Sequence, residues 1–500
     1  MNLSKSRYTK GIQCPKMLWM ESHMKEWFDE SVLNQAILET GNQVGDLAMG
    51  YYGDFVEVPF TLTGKNQMVE DTQEFLRQAL EGTGPVNIAE ATFAYDGNLC
   101  MVDILRVEPD GVRIVEVKSS THVNDIYYHD MAFQTWLLGK CGMNVKSVSL
   151  MHLNSQYVRS GDLDLQQLFV PEDCTEQVMV MVPQVEGTVA ALKDCADGDA
   201  EPEQPIGCQC NNPYECGYKN WCWRDVPPQS VFELNRLRKQ KAFDLYHDGV
   251  VTLKQLAEES GISLTERQQV QVDCAAQGLD AVIDRHAVAD FLAGMEFPLY
   301  FLDFETFQPA VPPFDGVKPY QQIPTQYSLH VQREPHGELE HYEFLADAVG
   351  DPRRAVAEHL VEHIPGDGTT LAYNMSFEKG RIAELANAFP DLEEQLLAIN
   401  QGMQDLIVPF SKGWYFLPVM GGSASIKKVL PALYPDDPEL DYGQLEGVHN
   451  GSQAMAAFAD LATMDPEQAA RTREQLLRYC ELDTLAMVKI WQRLVEVAAA

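Results

Sequence analysis

Three groups of residues have types and spacings that can do chemistry. In LYFLDFETF, residues 299–307, Asp303 and Glu305 stand two apart, so on a strand they share one face. Two like charges on a strand otherwise built from Phe301, Leu302, Phe304 and Phe307 are costly unless a cation neutralises them. In RIVEVK, residues 113–118, the same period of two puts Glu116 and Lys118 on one face. Pro109-Asp110-Gly111 reads as the turn of a β-hairpin whose partner strand carries Asp103. Two carboxylates hold a hard cation such as Mg2+ or Mn2+, and the lysine can orient an attacking water or a scissile phosphate. Glu90, in VNIAEATF at residues 86–93, is a further candidate ligand, and the helical stretch 122–140 carries Gln134. The third group is cysteine. Cys208, Cys210, Cys216 and Cys222 crowd into residues 208–222, while Cys14 stands alone in IQCPK. Soft thiolates select zinc or an iron–sulfur cluster, and the spacing alone leaves both open.

These groups need elements to position them. Strand-like Leu371-Ala372-Tyr373 runs into Asn374 and Ser376, a predicted helix N-cap, with Phe377 and Glu378 in the first turn. An amphipathic helix over 472–494 places Tyr479 and Asp483 four apart on one face. The Pro-rich stretch 197–207 and the VPPQ of 226–229 mark a boundary. From Val231 to Gly294 the pattern is helical, with the basic run RLRKQK at 236–241. A new alternating pattern begins at Phe297. The chain is therefore expected to be α/β, with domains at 1–228 and 295–500 joined by a helical connector, 229–294.

The first half resembles the PD-(D/E)xK nucleases, and more narrowly the RecB-like, iron–sulfur-containing nucleases associated with CRISPR systems and recombination. The residues that carry this are Asp103, Glu116, Lys118 and Gln134, flanked by Cys14 on one side and Cys210, Cys216 and Cys222 on the other. The resemblance implies a restriction-endonuclease-like fold over 1–228, with those four cysteines holding a 4Fe-4S cluster (Zn2+ as the alternative) and Cys208 spare. Two positions depart from the pattern. Gln43 lies in the early segment where the family often has His, and Leu138 stands where Tyr often follows the Gln.

The second half resembles the DEDD superfamily of 3′→5′ exonucleases, which has an RNase H-like fold. Asp303 and Glu305 match its first motif, Asn374, Phe377 and Glu378 its second, and Tyr479 and Asp483 its third. Arg478 occupies the position where the His subtype has its histidine, so the Tyr subtype fits; Glu378 stands where the superfamily usually has Asp. The resemblance implies Asp303, Glu305, Glu378 and Asp483 as metal ligands and Tyr479 as the residue that positions the water; residues 404–410 and 421–433 resemble the superfamily's middle region, which implies Asp405 as a support of the site and Lys427 and Lys428 as facing a phosphate backbone. The joined architecture also resembles an uncharacterised bacterial family that pairs both modules in one chain. The implied activity is metal-dependent phosphodiester hydrolysis, with DNA as the expected partner, RNA as an alternative, and a non-enzymatic scaffold as the rival class.

Composition narrows this further. There are 74 acidic residues against 37 basic ones, a net charge of −37, which on its face disfavours nucleic acid. Binding is then expected to be confined to narrow channels, with Lys5, Arg7, Lys10, Lys16, the 236–241 run, Lys427 and Lys428 as the basic patches. No P-loop or Rossmann fingerprint occurs, so a helicase, or a defence-system partner, would be a separate protein. No apolar run reaches membrane-spanning length and no secretory signal precedes the basic N-terminus, so a cytoplasmic protein is expected. With 11 cysteines and no such signal, a disulfide framework is not expected.

Overall fold

The computed structural model describes residues 2–62, 64–84, 86–259 and 261–500. Helices and strands interleave along the chain, which is mixed α/β. Two compact units form: Met1–Asp225 with Pro309–Gln321, and Val226–Gln308 with Gln322–Ala500. The helical stretch 229–294 belongs to the second unit. Its own apolar cluster (Val231, Leu234, Val250, Leu253, Leu256 and Val272) is small and needs neighbours to bury against. Asn235 Nδ2 donates to Gly422 O at 2.6 Å, tying it to the rest of that unit. No described helix is long and apolar enough to cross a membrane.

The first unit is built on a seven-stranded sheet: β1 (Leu3–Ser4), β2 (Val56–Glu57), β3 (Asn87–Tyr95), β4 (Asn98–Glu108), β5 (Gly111–Val117), β6 (Val145–Leu153) and β7 (Phe169–Asp173). β2 to β7 lie side by side in chain order, and β1 pairs with β4. β3, β4 and β5 are antiparallel, and β6 returns parallel to β5 through the helix Asp125–Lys140, as a parallel pair requires. Every residue of that helix from Met131 to Leu138 is buried, so Gln134 lies inside an apolar core with Phe133, Leu137, Ile114 and Val148. The β3–β4 ladder pairs Ala89 with Ile104 and Ala91 with Val102, skipping Glu90 and Asp103. The β4–β5 ladder likewise begins at Ile104–Val115. The sheet thus opens where three carboxylates would meet across strands, and Glu90 has a φ of 55° there, a region a non-glycine residue rarely occupies.

A segment distant in sequence completes this unit. Ala310, Val311 and Tyr320 join an apolar cluster with Val44, Ile104, Val115 and Leu153. Tyr320 Oη donates to Ser119 O, Arg159 Nη1 donates to Pro312 O and Pro313 O at 3.0 Å each, and Gly161 N donates to Asp315 Oδ1 at 2.8 Å.

The second unit holds a short ribbon, β8 (Val282–Ile283) with β14 (Tyr415–Phe416), and a five-stranded sheet. The sheet strands are β9 (Leu299–Phe307), β10 (Ile323–Gln332), β11 (Leu339–Leu345), β12 (Thr369–Ala372) and β13 (Met403–Asp405), ordered β11-β10-β9-β12-β13. β9, β10 and β11 are antiparallel neighbours; β12 runs parallel to both β9 and β13. The helix Pro466–Ala499 is capped by Asp465, whose side chain accepts from Glu467 N and Gln468 N. It buries Leu476, Leu482, Met487 and Ile490 in a core with Phe301 and Leu371. Tyr300, Leu302, Phe304 and Leu360 fill the core on the other side.

Candidate active sites

In the second unit, β9 alternates as the sequence requires: Leu302, Phe304 and Thr306 are buried while Asp303 and Glu305 are half-buried. Asp483, from the last helix, comes to the same place. One carboxylate oxygen from each of Asp303, Glu305 and Asp483 lies within 4.8 Å of the others. Glu378 is close enough for its charge to act on both Asp303 and Glu305. It sits in the first turn of the helix Ser376–Ala388 and is buried, with Oε2 lacking any hydrogen-bond partner. Ser376 is not the N-cap of that helix, which has no side-chain cap at its preceding residue, Met375. Asp405 does the holding: its carboxylate accepts from Asn374 N at 2.8 Å, Met375 N at 3.1 Å and Ile407 N at 3.1 Å. That turn carries Asn374 at a φ of 70° and presents Glu378.

Burial and mutual repulsion set the electrostatics. Glu305 is pushed up to about 8 by burial and then by the Asp483 charge; Glu378 also reaches about 8, by burial first. Asp483 rises to about 6, burial outweighing its hydrogen bond from Tyr442, and Asp303 is held well above its ordinary value by burial, Asp483 and Glu378. Tyr442 Oη donates to Asp483 Oδ1 at 2.5 Å. Lys427 Nζ donates to Tyr479 Oη at 3.0 Å and His449 O at 3.2 Å, and lies 5.0 Å from both the Tyr442 and Tyr479 ring centres. Lys428 is exposed. Four crowded carboxylates, one with an orphaned buried oxygen, are a donor set that fits divalent cations.

A pH dependence follows for the protein stripped of metal. The unfolded chain releases these carboxyl protons near pH 4, whereas the folded chain holds them to about 6 for Asp483 and about 8 for Glu305 and Glu378. Folding is therefore penalised increasingly as pH rises from about 4 to about 8. The melting temperature is expected to fall across that window, to recover on adding Mg2+, and to fall less in Glu305→Gln. A scan of melting temperature against pH, with and without Mg2+, checks this; identical slopes in wild type and variant refute it.

In the first unit, Glu116 is fully buried and accepts from Lys118 Nζ at 2.5 Å, Gln134 Nε2 at 2.7 Å and Lys5 Nζ at 3.0 Å. Asp103 accepts from Val117 N at 2.7 Å and Lys5 Nζ at 3.1 Å. Asp130, one turn before Gln134, accepts from Lys118 at 3.0 Å and Gln134 at 3.1 Å. Burial and the Asp103 charge push Glu90 up to about 7, and burial and Glu116 push Asp103 to about 6. Burial opposes ionisation of Glu116, but Lys118 and Lys5 hold it well below its usual range. Asp103, Glu116, Lys118 and Gln134 thus meet at one site, with Glu90 beside it. Lys5, expected in a backbone-facing basic patch, instead bridges the two carboxylates. The other N-terminal cations are also engaged: Arg7 and Lys10 pair with Glu21, and Lys16 pairs with Glu201. Gln43 is exposed and Leu138 is buried in the core.

The structure also gathers cysteines. Cys14, Cys210, Cys216 and Cys222 line one small cavity with Lys16, Met17, Met20 and Ile206; Cys208 does not line it. Burial raises the thiols of Cys14, Cys216 and Cys222, that of Cys216 to about 11, and the neighbouring sulfurs add to each shift. Four sulfurs that would repel one another as thiolates fit a cationic centre, either an iron–sulfur cluster or Zn2+. Cys14, Cys210, Cys216 and Cys222 form no disulfide among the described residues.

Asp130, Tyr442 and the place of Lys5 at the carboxylates escaped the sequence reading. Asp130 carried a signal in its spacing of four from Gln134 on a helix; Lys5 is 98 residues from Asp103 and 111 from Glu116 and carried none.

A family described as "Domain of unknown function (DUF2779)" matches residues 300–425, a span that holds Asp303, Glu305, Glu378 and Asp405. An "Uncharacterized protein MG366 homolog" of Mycoplasma pneumoniae is 30% identical over 214 residues, covering 39% of this chain and 32% of the relative. "Uncharacterized protein UU173" of Ureaplasma parvum serovar 3 is 24% identical over 267 residues, 48% of this chain and 36% of the relative. The chain thus spans about a third of the length of the curated relatives it matches. No solved structure matches it.

Proposed function

We propose that the chain is a metal-dependent nuclease acting on DNA, with its principal site, a 3′→5′ exonuclease site, at Asp303, Glu305, Glu378 and Asp483. The observation that carries this is the convergence of Asp303, Glu305 and Asp483 on one point, with Glu378 near enough for its charge to act on Asp303 and Glu305. The order β11-β10-β9-β12-β13, with the first acidic pair on the central strand and the last on a C-terminal helix, supports an RNase H-like reading of the second unit. In the first unit, Asp103 on the middle strand of an antiparallel triplet and Glu116–Lys118 at the end of the next support a PD-(D/E)xK reading.

Bound at the four carboxylates, Mg2+ or Mn2+ would supply charge neutralisation and water activation. The chain's own groups do the positioning. Lys427 donates to Tyr479 Oη, which leaves the tyrosine's proton free to orient a nucleophilic water beside Asp483. The Lys427 ammonium can also face a phosphate oxygen. Tyr442 fixes one Asp483 oxygen, and Asp405 fixes the turn that presents Glu378.

Glu90, Asp103 and Glu116 would hold the ion of a second nuclease site, with Lys118 and Gln134 orienting its reacting groups. One observation favours a binding role instead: Lys5 Nζ spans Asp103 and Glu116, where that ion would sit. A panel of end-labelled single- and double-stranded DNA and RNA in Mg2+ or Mn2+ tests both readings. Lys118→Ala is expected to leave digestion from 3′ ends intact while removing any internal or 5′ cleavage. Absence of degradation of every substrate refutes the enzyme reading.

A further inference from the structure

The second unit contains another cluster with ligand chemistry. His330 on β10 and His341 on β11 are cross-strand partners, with rings stacked at 4.5 Å between centroids and inclined at 29°. Glu481, on the last helix, completes a set in which each residue offers a ligand atom within 4.8 Å of the others. Thr484 Oγ1 meets the backbone carbonyl of Glu481 at 3.1 Å, Ser328 Oγ at 2.7 Å and His330 Nδ1 at 2.8 Å, and Ser328 Oγ meets His341 Nε2 at 2.9 Å. Each imidazole thus has one nitrogen engaged by a hydroxyl, and with its proton on that nitrogen it presents the other as a lone pair.

We propose that His330, His341 and Glu481 bind a zinc ion that staples the β10–β11 hairpin to the helix carrying Tyr479 and Asp483. Two imidazole lone pairs and a carboxylate are a borderline-soft N2O set, which suits Zn2+ better than the hard Mg2+. A hydroxyl or carbonyl accepting from the far nitrogen of each imidazole is the arrangement that orients a metal-bound histidine and raises its basicity. His330 is only 5% exposed. Glu481 has one competing partner, Arg478 Nη1 at 2.9 Å on Oε2, and its side chain is 30% exposed. With three protein ligands, the fourth position is left to water. The three are positioning residues for the carboxylate site: Glu481 lies two residues before Asp483 and two after Tyr479.

The test uses the full chain, stripped with chelator and titrated with Zn2+ in excess Mg2+. Zinc per chain is counted by mass spectrometry, and Co2+ absorbance reads the coordination. Wild type is expected to hold one zinc more than the His330→Ala, His341→Ala double variant, and to show tetrahedral Co2+ bands that the variant lacks. Glu481→Gln, which removes only a half-exposed charge, is expected to keep the fold and weaken this zinc on the order of tenfold or more. It decides the matter if the double variant does not fold. Both variants share the four clustered cysteines with wild type, so zinc bound there cancels. Equal zinc content and affinity in wild type and variants overturns the proposal, whatever the protein's activity on nucleic acid.

Discussion

Asp303→Asn is expected to cut digestion from 3′ ends by about 10³-fold in Mg2+ while raising the melting temperature of the metal-free protein. The first effect follows because Asp303 stands at the centre of the sheet with Glu305, Glu378 and Asp483 around it. Neutralising it would remove one of the proposed ligands and part of the attraction for divalent ions. Metal-ion stabilisation of a transition state is worth several kcal/mol, and each ~1.4 kcal/mol is a factor of ten. The second effect follows from the same crowding: without metal, an amide relieves repulsion among buried carboxylates at no cost in volume. The opposite signs are diagnostic, since a merely misfolded variant would lose both activity and thermal stability. Unchanged digestion of an end-labelled strand removes the C-terminal site from the proposal.

Cys216→Ala is expected to abolish metal binding at the proposed cysteine site and disorder the segment around it. Cys216 is 7% exposed and packs with Met17, Trp19, Met20 and Tyr218, with Cys14 and Cys222 against the same cluster. Residues 198–225 contain little regular structure, a 3-10 turn at Cys208–Cys210 and a single helical turn at Lys219–Cys222. They are pinned by bonds such as Cys216 N to Cys210 O at 3.0 Å, and Gln13 Nε2 to Gln209 O and Tyr214 O at 2.7 Å each. Structural thiolate sites contribute roughly 10 kcal/mol or more of binding free energy, comparable to the whole stability of a domain. Loss of brown colour from anaerobically purified protein, with new protease cleavage between residues 198 and 225, checks this. A colourless, zinc-containing wild type excludes the iron–sulfur cluster and leaves zinc as the occupant; a variant with unchanged metal content and protease pattern excludes the site.

Much of this geometry was legible in the sequence wherever a local period did the placing. Alternation alone set Asp303 beside Glu305 and Glu116 beside Lys118, helical spacing set Tyr479 near Asp483, and the choice of Cys210, Cys216 and Cys222 with Cys14 matches the cavity the structure forms. What escaped depends on long-range packing. Lys5 reaches Glu116 only because its helix packs against the helix of Gln134. Tyr442 sits in a loop that no periodicity describes. The predicted Ser376 cap fails because Asp405, from a neighbouring strand, supplies the acceptors that a local side chain would otherwise provide. His330 and His341 are eleven residues apart in sequence and carry no local signal; the hairpin register alone pairs them.

The passage from β9 to β10 has a further consequence. Between these adjacent strands the chain leaves the second unit, contributes Pro309–Gln321 to the first, and returns. The polypeptide therefore crosses between the units three times, and neither unit is a contiguous stretch that can be cut out whole. A fragment ending at Asp225 would lose the Tyr320 bond to Ser119 and expose the apolar surface that Ala310 and Val311 cover. Tyr320, held at Ser119 O beside Lys118, follows β9, the strand of Asp303 and Glu305, in the chain. Separating the roles proposed for the two sites will therefore require point substitutions rather than truncation.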